Sequence, residues 1–319
     1  MAHRGVGDGR AMRSLVTGAA GFIGSTLVDR LLADGHQVIG IDNFSAGTVA
    51  NLKDAMSWNE RSPGQFRLIC LDVQAPELAG VIAGANPDII FHLAAQMDPQ
   101  VSVLDPQFDA RSNVLGTINL CEASRRSGVR RIVYAGCREA RYGIGAGRPP
   151  EGSGRTNPVL PHGVAKVAAE MYLCAYAEMY DLAPLCLALG SVYGPRQNHR
   201  DPGNAIAALA SAMIAGGSQI RGWDNIRASD YVYVDDAVDA LVRAGHAPVQ
   251  ITGMCDISTG TPTRCPLEWT PLVDLPDGIA RTVRWLTDLT ATDPTSECEE
   301  QSRKNISAER ISHSVDLVG

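Results

Sequence analysis

From residue 13 onward, short apolar runs alternate with longer amphipathic stretches, and the rhythm holds for about two thirds of the chain. The first apolar run ends at Thr17, a helix-forming segment reaches Leu32, and Gln37 to Ile41 follows, closed by Asp42. Phe66 to Leu71 reads as a third strand closed by Asp72, and Ile89 to Leu93 as a fourth opened by Asn86-Pro87-Asp88. Arg131 to Ala135 and Pro184 to Leu189 complete six strands. The spacing predicts long helices over 106–127, stopped by Gly128, and over 159–180. Strands of consecutive apolar residues suit burial on both faces, so the alternation predicts an α/β fold, a parallel sheet wrapped by helices on both sides. After Gly190 the pattern loosens: 204–215 and 235–244 read as helices, Cys255 to Ser258 as a short strand, and 275–289 as a final helix.

The turn after the first strand carries the most specific chemistry. Leu15-Val16-Thr17-Gly18-Ala19-Ala20-Gly21-Phe22-Ile23-Gly24 runs a strand into a glycine-spaced turn and then a helix. Gly18 permits a sharp turn, Gly21 lets backbone amides approach a pyrophosphate, and Gly24 lets helix and strand pack closely. The helix N-terminus carries part of the phosphate charge. Asp42, at the tip of the second strand, suits the ribose hydroxyls of NAD and repels the extra phosphate of NADP. Strand, turn, helix, strand and terminal carboxylate together predict a doubly wound, Rossmann-like dinucleotide-binding domain over 13–190.

Composition narrows the classes. The 319 residues are 45% hydrophobic and 20% charged, ordinary for a soluble globular protein. A net charge of −7 gives no basic footprint for nucleic acid or an anionic membrane. No secretory signal and no apolar run of membrane-spanning length is visible, so a cytoplasmic protein is expected. The eight cysteines form no C-x-x-C pair, which disfavours zinc or a disulfide framework and predicts mostly buried thiols. A flexible start (1–12), an exposed Gly- and Pro-rich loop (145–158) and a largely disordered tail (291–319) are expected at the ends and beside the site.

Further motifs fall in a recognisable order: Asp42-Asn43-Phe44-Ser45, Phe91-His92-Leu93-Ala94-Ala95-Gln96, Asn113-Val114-Leu115-Gly116-Thr117, Ser191-Val192-Tyr193-Gly194-Pro195-Arg196 and Asp230-Tyr231-Val232-Tyr233-Val234-Asp235-Asp236. Together with the glycine turn they resemble the extended short-chain dehydrogenase/reductase family, near the NAD-dependent nucleotide-sugar epimerases and dehydratases such as the UDP-glucose 4-epimerases. The resemblance covers most of residues 12–290. It implies tightly held NAD recycled within each turnover, a nucleotide-sugar substrate, a small C-terminal substrate domain (here 191–290) and a homodimer built on the helices at 106–127 and 159–180. It places Gly18, Gly21, Phe22, Ile23 and Gly24 on the pyrophosphate, Asp42, Asn43, Phe44, Ser45 and Gly47 about the adenosine ribose, and Asp72 with Val73 at the adenine. Leu93, Ala94, Ala95, Gln96 and Asn113 line the path to the nicotinamide, and Lys166 holds its ribose.

The catalytic positions depart from that pattern. The family chemistry uses Tyr-x-x-x-Lys on one helix face, the phenolate taking a sugar hydroxyl proton as hydride leaves. Here the segment reads Pro161-His162-Gly163-Val164-Ala165-Lys166: the lysine is present and the tyrosine is His162. The Ser/Thr expected after the fifth strand is replaced in Gly136-Cys137-Arg138-Glu139. Either His162 acts as the general base, kept neutral by Lys166, or it fills space above bound NAD. Glu139 falls where dehydratases of this group carry an acid–base residue; it is that, or an ion-pair partner of Arg138 or Arg141. The candidate catalytic set is therefore His162, Lys166, Arg138 and Glu139, with Cys137 expected to be a buried thiol and no metal site.

The substrate side departs too. Ser191 stands where relatives carry Asn, and Ser229 where they carry a diphosphate-gripping Arg; Arg196, Arg200, Arg221 and Arg227 are candidate substitutes. Ser258-Thr259-Gly260-Thr261-Pro262-Thr263 is followed almost at once by Pro266-Leu267-Glu268-Trp269, as though a block after Arg264 were deleted. The expectation is an NAD-dependent epimerase/dehydratase-type enzyme with a His-x-x-x-Lys site. An NAD-binding pseudoenzyme, or a dehydrogenase of a smaller substrate, stands as the alternative.

Overall fold

A computed structural model describes residues 11–143, 156–198, 205–214, 230–259 and 266–292. Ser229, Arg200, Arg221, Arg227, the segment around Arg264, most of the 145–158 loop, residues 1–10 and nearly all of the expected tail lie outside the described residues.

Seven parallel strands form the sheet: β1 (Arg13–Thr17), β2 (Gln37–Asp42), β3 (Phe66–Cys70), β4 (Ile89–His92), β5 (Arg131–Cys137), β6 (Ala183–Leu189) and β9 (Gly253–Ile257). Their order is β3-β2-β1-β4-β5-β6-β9, the doubly wound arrangement that the alternation predicts. Side chains alternate between two cores. Val16, Phe91 and Val133 face one, with Leu27 and Leu31 of α1 (Phe22–Ala33) and Leu241 of α10 (Val234–His246). Leu15, Ile90, Ile132 and Tyr134 face the other. There they meet α3 (Leu78–Ala85), α6 (Gly116–Ser127) and α8 (Pro161–Met179). This period-two division, with both faces covered, is why each strand reads as a continuous apolar run.

The 106–127 stretch is helical throughout but not one α-helix. It divides into α5 (Pro106–Ala110), a π-helical turn at Arg111–Leu115, and α6. The π turn carries Asn113, and Gly128 ends α6 with φ +73°. The sequence pattern does not register α2 (Lys53–Arg61), α3, α4 (Pro99–Leu104) or α7 (Arg138–Tyr142), most of them too short for a clear period. Beyond residue 190, β7 (Ser191–Tyr193) and β8 (Tyr231–Tyr233) form a small parallel sheet. There too lie α9 (Ala205–Ile214) and α11 (Leu275–Thr292), whose last two residues run past the expected start of the tail. The same region returns α10 and β9 to the main sheet.

The cysteines depart from expectation. Cys255 is disulfide-bonded. Cys70 and Cys174 are exposed, whereas Cys121 and Cys186 are buried thiols.

Candidate active site

The glycine turn lies at the carboxyl end of β1, where the strand order reverses between β1 and β4. Gly18 has φ +70°, and a Cβ there would stand 2.8 Å from the Ala94 amide nitrogen. A Cβ on Gly24 would drive into the Gly18 carbonyl oxygen. Gly21 is the N-cap of helix α1 and offers no side-chain cap, so the first amides remain available to an anion. Gly47 packs against the same turn, with space for no side chain: a Cβ would lie 2.7 Å from the Ala20 carbonyl carbon.

Asp42 is buried and held from both sides. Oδ2 accepts the Ala20 N–H at 2.8 Å and Oδ1 the Phe44 N–H at 2.7 Å, which fixes Phe44 at φ +57°. Asn43 donates to Asp72 at 2.7 Å and accepts the Ser45 N–H at 3.0 Å, so the two loops expected around adenosine are tied together. Asp72 also takes the Gln74 N–H, and the Val73 carbonyl accepts Asn119 Nδ2 at 2.7 Å. A backbone cradle that excludes side chains, an uncapped helix N-terminus and a preset carboxylate fit a dinucleotide.

A buried polar chain links this cradle to the strand beside it. Thr117 donates to the Asn113 carbonyl, and so accepts from His92 Nε2 at 3.0 Å. That leaves His92 Nδ1 as the acceptor of the Thr17 hydroxyl at 2.8 Å, while Thr17 Oγ1 takes the Ala94 N–H. Full burial, and secondarily Lys166, push His92 down to about 3. Asn113 Oδ1 accepts the Gln96 N–H at 2.9 Å, and its Nδ2 donates to the Gln96 carbonyl and to Asp109. Leu93 donates its N–H to the Thr17 carbonyl. Ala95 sits between these anchored neighbours.

His162 and Lys166 lie one turn apart on α8, both buried. Lys166 Nζ donates to the Ala135 carbonyl at 3.1 Å and sits 4.9 Å from the centre of the Tyr134 ring. Burial pushes its pKa down, against the pull of Cys137, Glu170 and Asp109. Burial first, and Lys166 second, bring His162 down to about 4, so the imidazole is neutral at physiological pH. It lies 3.6 Å from Asp109, a residue that sequence reasoning does not single out. No local signal exposes it, because its partner is 53 positions further along the chain.

Arg138 and Glu139 are not paired with one another, nor Glu139 with Arg141, contrary to the ion-pair expectation. Arg138 takes Asp230 at 3.5 Å, and Arg141 takes Glu170. Glu139 instead accepts the Ser191 hydroxyl at 3.0 Å, in a pocket it shares with Tyr193, Gln197, Ile206 and Tyr231. Nearby carboxylates on other elements outcompete sequence neighbours that leave the short α7 in different directions. Glu170 is pushed up to about 7 by burial, and the missing side chain of Gly136 makes its space: a Cβ there would stand 2.8 Å from Glu170 Oε1. The Lys166–Glu170 spacing of four was the available signal for this second carboxylate. Cys137 is half-buried rather than buried; it caps α7, its sulfur accepting the Ala140 N–H, and desolvation raises its pKa. Arg196, a candidate for gripping a diphosphate, is held by Asp29 at 2.7 Å and Asp54 at 3.2 Å. No group of metal-ligating side chains occurs among the described residues, and no helix among them is long and apolar enough to cross a membrane.

The chain matches the NAD dependent epimerase/dehydratase family over residues 14–254. A UDP-glucose 4-epimerase of Mycolicibacterium smegmatis is 45% identical to it over 234 residues, covering 73% of each chain. A UDP-glucose 4-epimerase structure from Thermotoga maritima, with UDP-glucose, superposes with a TM-score of 0.75 at 29% identity, covering 87% of this chain and 99% of that one. The Thermus thermophilus UDP-glucose 4-epimerase in complex with NAD gives a TM-score of 0.70 at 29% identity, covering 86% and 98%.

Proposed function

Because this chain belongs to the NAD dependent epimerase/dehydratase family, with NAD as its cofactor, we propose that it transforms a nucleotide sugar through an atypical His162-x-x-x-Lys166 site. One observation carries the reading. The glycine cradle after β1, and Lys166 on the Ala135 carbonyl near the end of β5, lie at the same carboxyl edge of one parallel sheet. That edge is where ligands bind in open α/β sheets.

Gly18, Gly21 and Gly24, with the first amides of α1, hold the pyrophosphate; Asp42 takes the ribose hydroxyls; Asn43 and Asp72 shape the adenine side. NAD, when bound, supplies reversible hydride acceptance at a sugar carbon. Lys166 places a buried positive charge beside the reacting end, and burial, with Lys166 second, keeps His162 neutral so that the imidazole can take up a hydroxyl proton. Glu139, held by Ser191 at a pocket wall, is the second acid–base candidate, and Arg138 orients that wall through Asp230. UDP-hexoses are the substrates to test, since relatives acting on UDP-glucose share most of the fold.

A homodimer is part of the proposal. Val164, Met171, Tyr172 and Met179 of α8 and its C-cap Tyr180 recur at seven- and eight-residue spacing and are exposed, as are Phe108 and Leu115 on the α5–π segment. An apolar stripe of that extent on paired helices suits a second copy.

The deciding experiment is chromatography of the small molecules released when freshly purified protein is denatured, followed by assay of UDP-glucose and UDP-galactose interconversion. Bound NAD with turnover that His162→Ala abolishes supports the reading. Bound NAD without turnover of any nucleotide sugar overturns it and leaves a dinucleotide-holding scaffold, and turnover undiminished in His162→Ala removes that residue from the mechanism.

A further inference from the structure

Two buried polar groups face one another beside this site at a distance too long for a hydrogen bond. His162 on α8 is 7% exposed and Asp109 on α5 is 1% exposed. His162 Nδ1 stands 3.6 Å from Asp109 Oδ1 and has no hydrogen-bond partner, while the Asp109 carboxylate is also met by the Ser102 hydroxyl. Asn113 Nδ2 donates to Asp109 Oδ1 at 3.0 Å.

A neutral imidazole has a single N–H to give. Placed on Nε2, it turns the Nδ1 lone pair onto the Asp109 carboxylate, opposing two buried acceptors at a cost in free energy. Placed on Nδ1, it faces the carboxylate and leaves the Nε2 lone pair to accept a proton. When Nε2 takes a second proton, the one on Nδ1 is left between imidazole and carboxylate.

We propose that Asp109 and His162 form one proton-holding unit sharing a single ionisable proton, with Asp109 the positioning residue that makes the imidazole an acid–base group. The unit's place beside the nicotinamide end rests on the cofactor reading above; the shared proton does not. Of the surrounding charges, Lys166 from α8 acts on both members, opposing a proton on His162 and favouring ionised Asp109. The Ser102 hydroxyl of α4 and the Asn113 amide also favour ionised Asp109. Lys166 is in turn faced by Cys137 from β5, Glu170 from α8 and Asp109 itself, and Arg141 of α7 is engaged with Glu170. Burial disfavours charge on both members, lowering His162 and raising Asp109. It thus selects the neutral pair, a carboxylic acid donating to Nδ1, over imidazolium with carboxylate. In the reaction proposed above, a hydroxyl proton leaves as hydride leaves the carbon. Nε2 takes up that proton while the Nδ1 proton moves toward Asp109, and both shifts reverse when the carbonyl is reduced.

The test uses full-length protein, with cofactor as purified, carrying 13C-labelled histidine and aspartate. The His162 imidazole and Asp109 carboxyl signals are followed against pH by NMR in wild type, Asp109→Asn and His162→Gln. In wild type both signals are expected to move with one common midpoint. In Asp109→Asn the His162 midpoint falls by about one pH unit or more, because the amide donates to Nδ1 and stabilises the neutral ring. In His162→Gln the Asp109 midpoint falls by a similar amount. Independent midpoints in wild type, or a His162 midpoint unmoved in Asp109→Asn, would overturn the proposal. Should Asp109→Asn not fold, an Asp109 midpoint unchanged in His162→Gln rejects it alone. These signals report without substrate turnover, so loss of the enzymatic reading and loss of the shared proton are separate results.

Discussion

The carboxylate of Asp42 accepts the backbone N–H of Ala20 at 2.8 Å, joining the tip of β2 to the glycine turn. Its second oxygen takes Phe44, so one side chain holds both walls of the proposed adenosine site while keeping lone pairs for ribose hydroxyls. Asp42→Asn keeps the shape but replaces one acceptor oxygen with a donor facing an N–H. A lost hydrogen bond to a charged group is worth about 1.5–3 kcal/mol. NAD affinity, measured by calorimetric titration of cofactor-stripped protein, is therefore expected to fall about 10- to 100-fold. Affinity for NADP is expected to fall less, as the negative charge opposing its extra phosphate is removed. An unchanged NAD affinity would contradict the assignment.

Gly24 tests the cradle from the other side. Because a Cβ there meets the Gly18 carbonyl, Gly24→Ala must push α1 away from the turn. Overpacking of this kind costs about 1–3 kcal/mol, and the displaced amides lose the pyrophosphate as well. The expected outcome is a lower denaturant midpoint together with protein that purifies without NAD. Gly35→Ala serves as the contrast: a Cβ there meets nothing within 4 Å, although φ is +86°. It should lose stability to backbone strain yet retain cofactor.

These two positions explain how much was legible from sequence. The glycines and Asp42 announce themselves because their roles are set by backbone geometry within one β-turn-α-β unit. The alternation of apolar runs revealed the sheet for the same reason: each run's burial is local to its strand. The acid–base surroundings of His162 are not local. Asp109 reaches it from α5, Glu170 draws Arg141 away from Glu139, and Asp230 draws Arg138 from another direction. Partnerships between residues tens of positions apart leave no spacing to read. The Cys255 disulfide is the same kind of miss, since no C-x-x-C spacing marks it.

His92 predicts the acid limb of stability. In the folded protein it is fixed neutral between Thr17 and Thr117, with its pKa near 3, against 6.5 for the ordinary group. The unfolded chain therefore takes the proton first as pH falls. His92 costs nothing above pH 6.5, then removes up to about 1.4 kcal/mol per pH unit until about pH 3. His162, near 4, acts in the same direction. Glu170, raised to about 7, acts oppositely between pH 7 and 4.5, because there the folded state binds the proton first. Urea midpoints of wild type and His92→Gln should thus be compared by slope. The variant is expected to be less stable at pH 8 but flatter from pH 6 to 4, by close to one proton. Parallel slopes would mean that His92 is already protonated in the native state.

Arg131 supplies a prediction about the scaffold that carries the site. Its guanidinium, 3% exposed, has no carboxylate partner among the described residues and donates to four carbonyl oxygens: Ala183, Ile251, Ala247 and Pro248, at 2.6–3.0 Å. Ala247 is the C-cap of α10, so the cation also meets the negative end of that helix. One side chain at the start of β5 thereby fastens β6, the end of α10 and the approach to β9, the segment that brings the chain back to the main sheet. Arg131→Met fills much of the volume but abandons four acceptors, and each buried unpaired group costs about 1–3 kcal/mol. Loss of more than about 3 kcal/mol in urea unfolding is expected. Arg131→Lys should recover only part of it, because an ammonium cannot fork to four carbonyls. Amide exchange would locate the damage: protection should fall first in β9 and the last turn of α10, while α1 and the glycine turn keep theirs. Uniform loss across the sheet would instead show that Arg131 acts through global stability rather than by fastening this edge.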